Sequence, residues 1–160
     1  QGQGFENVGE MTYIWYGQMD QRMGPRTGLP WKRHGGVGLL LLGQDRFGSL
    51  SLRDPDEKGI LITSDLELRG PASLWVNAEG LGPHSSLKLE LLDHLERPLP
   101  NYSGEGSAVV EQSGLRVLVK WPGGTQIQSP KRPFKVRLTL QGKEAGAIRL
   151  YALYVSPGQQ

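Results

Sequence analysis

Val136-Arg137-Leu138-Thr139-Leu140 sets an apolar side chain at every second position, and Leu87-Lys88-Leu89-Glu90-Leu91 does the same. Successive side chains of an extended strand point to opposite faces, so each segment offers one apolar face for burial and one polar face for water. A helix would scatter those leucines around its axis. Leu115-Arg116-Val117-Leu118-Val119-Lys120-Trp121 keeps the period, with Leu115, Val117, Val119 and Trp121 on one side.

Outward from these segments, 23 Gly and 11 Pro cut the chain into short runs rich in Val, Leu, Ile and aromatic residues. That punctuation is how all-β domains read. Strands are expected at Met11 to Tyr16, Val37 to Leu42, Phe47 to Arg53, Ile60 to Leu68, Ala72 to Ala78, Ser86 to Leu92, Ala108 to Glu111, Leu115 to Trp121, Phe134 to Gln141 and Ala147 to Val155. Turns are expected at 54–59, 80–83, 97–101 and 122–124, where Gly and Pro supply the dihedrals. With no convincing helix among the strands, a βαβ fold is excluded. The expected architecture is all-β, a two-sheet antiparallel sandwich of the jelly-roll kind.

A chain of 160 residues fits one domain. Residues 10–157 read as the sandwich and 1–9 as a linker or the tail of a preceding domain. The sequence opens at Gln1 with neither Met nor a charged-then-apolar leader, and so reads as a piece of a longer polypeptide. The apolar run Val37 to Leu42, interrupted by Gly38, falls far short of the roughly 20 residues that cross a bilayer, so no membrane span is expected. Lys and Arg total 18 against 16 Asp and Glu, and the basic residues are scattered. Nucleic-acid binding wants a basic stripe interleaved with aromatics; Lys32-Arg33-His34 and Lys131-Arg132 are short loop clusters instead. The absence of cysteine removes disulfides, thiolate catalysis and Cys-ligated zinc together.

No catalytic constellation emerges. His84 and His94 lie in turn-like sequences, and no histidine has the neighbours of a nucleophile's base. Asp54, Asp56 and Glu57 cluster in a turn where backbone hydrogen bonding accounts for acidic residues, with a structural calcium as the alternative. No organic cofactor is expected, since Gly35-Gly36-Val37-Gly38 opens no helix.

Aromatic residues are the remaining resource. A sugar ring stacks its C–H face on Trp or Tyr while its hydroxyls meet a few polar anchors. The long loop from Gly17 to Gly36 holds Asp20, Arg33 and His34, and also Trp31, the tryptophan on which strand packing has least claim. In Tyr13-Ile14-Trp15-Tyr16, alternation puts Tyr13 with Trp15 on one face and Ile14 with Tyr16 on the other. Trp75 and Trp121 read as core. The candidate carbohydrate-binding set is therefore Trp31, Trp15 and Tyr16 for stacking, with Asp20, Arg33 and His34 for hydrogen bonds.

Several segments, in order, resemble one type of domain. These are Glu10 to Gly17, His34 to Leu50, Gly59 to Leu68, Leu74 to Ala78, Leu89 to Ser103, Val119 to Gly124 and Phe134 to Val155. Together they are similar to the C-terminal β-sandwich that follows a five-bladed propeller in proteins of the glycoside hydrolase family 32 kind, over about residues 8 to 156. The resemblance implies a non-catalytic accessory or carbohydrate-binding module whose hydrolytic carboxylates lie elsewhere, on a covalently linked catalytic domain. It implies polysaccharide or oligosaccharide as partner and a secreted or extracytoplasmic setting. The alternative it leaves is a purely structural sandwich packing on a propeller, with a glycan-active enzyme third.

Overall fold

The computed structural model describes residues 2–19, 35–128, 132–143 and 146–157. The chain divides between Arg46 and Phe47 into two compact units, Gln1–Arg46 and Phe47–Gln160.

The first unit is an antiparallel meander of β1 (Gly2–Val8), β2 (Met11–Met19) and β3 (Gly35–Gly43), in the order β1-β2-β3. The turn at Gly9, where φ is +60°, lets Met11 fall opposite Val8. Most of the stretch expected as a linker or tail is thus strand β1, paired along its length with β2.

The second unit is a β-sandwich. Its strands are β4 (Gly59–Ile62), β5 (Ala72–Glu79), β6 (Ser85–Asp93), β7 (Ala108–Val110), β8 (Gly114–Leu118), β9 (Phe134–Gly142) and β10 (Arg149–Pro157). One sheet runs β4-β9-β6-β7 and the other β10-β5-β8, all antiparallel. The period read from the sequence decides what lies between them. Leu87, Leu89 and Leu91 of β6, Val136, Leu138 and Leu140 of β9, and Leu74, Val76 and Ala78 of β5 join one buried cluster with Phe134, Ile127 and Val119. A jelly roll has eight strands in two Greek keys; the described strands of this unit are β4 to β10.

The expected strand at Phe47 to Arg53 is instead irregular chain held by a bridge between Leu50 and Leu150, with Leu52 buried in the core. The long run Ile60 to Leu68 pairs regularly only over β4 and touches the sheet again at Leu66, opposite Phe134. A strap of two 3₁₀ turns, Pro100–Tyr102 and Gly104–Gly106, follows the β6 hairpin. It covers the polar side of β6, where Gly104 N–H donates to Glu90 at 3.1 Å and Ser103 Oγ donates to the Leu91 carbonyl at 2.7 Å. Glu90 also accepts from Arg137 Nε at 3.0 Å and Nη2 at 2.7 Å, and pairs with Lys88 at 3.1 Å. Burial alone would raise its pKa, but these hydrogen bonds and the Arg137 charge outweigh it and hold the carboxyl below the usual glutamate range.

Candidate functional site

Of the sugar-binding set, Trp31, Asp20, Arg33 and His34 lie outside the described residues. Trp15 and Tyr16 lie in β2, on opposite faces. Trp15 faces Leu39 and Tyr13 faces Leu41 across the β2–β3 ladder, so those four side chains share one face. Tyr16 falls opposite Gly38, and a methyl group at Gly38 would collide with the Tyr16 ring. The ring lies across that glycine, which explains a residue with little strand propensity in the middle of β3.

Tyr13 and Trp15 form an aromatic strip with ring centroids 6.1 Å apart and planes 28° from parallel. Trp15 is 40% exposed, and Leu39 and Leu41 beside it are about half exposed. Two stacked rings on a partly exposed sheet face offer apolar aromatic surface to a ligand. The opposite face carries Tyr16, Phe5 and Leu40, also exposed.

The other two described tryptophans part company. Trp121 is buried in the sandwich core and meets Tyr102 edge to face at 5.2 Å, as expected. Trp75 is only half buried, because β5 turns it away from Leu74 and Val76. There the guanidinium of Arg116 lies 5.6 Å from the Trp75 ring and 5.6 Å from Tyr154, a cation between two π faces. Arg116 of β8 thus links Trp75 of β5 and Tyr154 of β10, a cross-strand brace. Farther along β5 and β10, Tyr151 Oη donates to Glu79 at 2.8 Å.

A polar groove of ≈ 790 Å³ opens at one end of the sandwich, lined by Asp56, Glu57, Lys58, His84, Ser85, Ser86, Glu111, Gln141 and Lys143 among others. Sequence reading identifies its two turns but not their meeting, which depends on which strand ends the sheet order brings together. Asp54 Oδ1 accepts the Asp56 N–H at 2.9 Å, the turn bonding expected there. Among the described residues, no group of three or more His, Cys, Asp or Glu side chains converges to hold a cation. Among them, too, no helix is long and apolar enough to cross a membrane.

No family model, curated protein or solved structure matches the chain.

Proposed function

We propose that the chain is a non-catalytic carbohydrate-binding accessory module of a glycan-degrading enzyme. The supporting observation is the Tyr13–Trp15 strip, two rings tilted by only 28° on an exposed strand face. Such a platform suits the C–H face of a sugar, and the ordered family-like segments point the same way. Affinity electrophoresis through gels cast with different polysaccharides tests it. Retardation should appear with at least one glycan. Trp15→Ala should weaken it about tenfold, the value of one good aromatic contact, and Tyr16→Ala on the other face should leave it unchanged. Unretarded migration in every gel would overturn the reading.

A second reading, a structural domain that packs on a catalytic propeller, draws on a different observation. Phe5, Leu39, Leu40 and Leu41 are all exposed, and they lie on both faces of one sheet. Exposed apolar side chains on a sheet face mark interaction sites. A chain that sediments as a soluble monomer at high concentration would count against it.

A further inference from the structure

The polar groove at the end of the sandwich is organised by the sheet beneath it. Gly59 of β4 pairs with Leu140 of β9, Leu140 with Leu87 of β6, and Leu87 with Val110 of β7. These residues form one row across the whole four-stranded sheet, and the groove residues are the next ones out on each strand. Lys58 precedes β4, Gln141 is the penultimate residue of β9 and Lys143 follows it, Ser85 and Ser86 open β6, and Glu111 follows β7. Neighbouring strands lie about 4.8 Å apart, so the row spans about 14 Å. That is the length of an extended chain of small units.

The floor is held firmly. Gly82 and Ser85 exchange backbone hydrogen bonds at 3.0 and 3.1 Å around the Pro83-His84 tip. Leu81 N–H donates to Ser113 Oγ at 3.0 Å, tying this turn to the chain before β8. At Gly80, where φ is +73°, a methyl group would run into the Ala147 carbonyl, so the entry to the turn is closely packed.

The lining selects a chemical class. Three carboxylates (Asp56, Glu57, Glu111) stand against two ammonium groups (Lys58, Lys143) and one imidazole (His84). That balance does not favour a polyanion. The same carboxylates do not gather into a cation site. The scarcity of large apolar side chains disfavours a lipid or an aromatic ligand. What remains is a dense alternation of donors and acceptors, including the Ser85 and Ser86 hydroxyls and the Gln141 amide. A neutral molecule with many hydroxyls, each both donor and acceptor, satisfies that pattern.

We infer that the groove across the β4-β9-β6-β7 strand ends binds a neutral oligosaccharide lengthwise, through hydrogen bonds and not through stacking. The inference shares its ligand class with the proposed glycan-binding function but places the contact in the other unit, on different chemistry.

The test is amide NMR of the whole chain titrated with three probes: cellohexaose, maltohexaose and, as an anionic counterpart, oligogalacturonate. At least one neutral hexasaccharide should shift the amides of Ser85, Ser86, Gln141 and Gly142. Gln141→Ala and, separately, Glu111→Gln should each weaken that response about fivefold, the worth of one or two hydrogen bonds. Both side chains are exposed, and a thermal melt of each variant confirms that the fold is retained. Trp15→Ala should leave the groove response intact. Shifts confined to Tyr13 and Trp15 would overturn the groove site while leaving the proposed function standing. Groove shifts with either variant unchanged, or stronger with oligogalacturonate than with both neutral probes, would overturn the assignment of residues or of ligand class. Silence at the groove with all three probes would overturn the site, and gel retardation would then decide the proposed function by itself.

Discussion

The two units use the same strand chemistry and bury it very differently. In the Phe47–Gln160 unit, Leu74, Leu87, Leu89, Leu91, Val136 and Leu138 are wholly shielded from solvent. In the Gln1–Arg46 unit, the one buried residue among those described is Thr12, whose hydroxyl donates to Asn7 at 2.6 Å. The difference is a matter of layers. A sheet excludes water from one face only when a second layer lies on it. Alternation along a strand states which side chains share a face, not whether that face is covered.

Emptying the sandwich core should have the largest effect on stability. Phe134 is the largest of its fully buried side chains and also forms the bridge to Leu66. Phe134→Ala should cost about 4 kcal/mol in a urea titration, from lost transfer energy and the cavity left behind. A partly exposed aromatic in the meander, Tyr13→Ala, should cost no more than about 1 kcal/mol. Equal losses at the two positions would mean that the meander is as deeply buried as the sandwich.

A second contrast is electrostatic. Glu90 is 5% exposed, and its carboxylate is held by Gly104, Arg137 and Lys88. Its folded pKa lies below the unfolded value of about 4.3, so its contribution is fully present above that value and fades as pH falls through the lowered folded pKa. Stability of the sandwich should therefore drop below about pH 4, and Glu90→Gln should flatten part of that drop while costing about 2 kcal/mol near neutrality. An unchanged acid limb in the variant would show that other carboxylates govern acid unfolding.

These contrasts also mark what the sequence can convey. The sandwich strands are legible because Leu87 to Leu91 and Val136 to Leu140 have a period that only strands share, and the same period in Leu115 to Trp121 assigns Val119 and Trp121 to the inward face. Strand β1 is not legible: Gly2-Gln3-Gly4-Phe5-Glu6-Asn7-Val8 has two glycines and no alternation, and it is a strand because β2 supplies its hydrogen bonds. Phe47 to Arg53 misleads in the opposite direction, with good strand residues but no ladder beyond the Leu50 bridge. Trp75 reads as core because Leu74-Trp75-Val76 is apolar throughout, which leaves the inward face undecided until the partner strand is known. For the site, alternation puts Tyr13 and Trp15 correctly on one face. The groove stays invisible because Lys58, Ser86, Glu111 and Gln141 are far apart in sequence and meet only through the order β4-β9-β6-β7.

The smallest expected effect is the most informative about the meander. Leu40 is 48% exposed and lies on the face away from Trp15, opposite Ile14. On a surface open to water, Leu40→Lys should change stability by less than about 0.5 kcal/mol, because the ammonium stays solvated and the lost burial is slight. It should also lower any self-association, since a charge on a strand opposes sheet-to-sheet pairing. A loss of several kcal/mol would instead mean that a charge had been forced into a dry contact. Measured by urea titration and by sedimentation velocity on the same preparation, the variant separates a face used by solvent from a face that needs a second layer, which is the physical distinction between the two units.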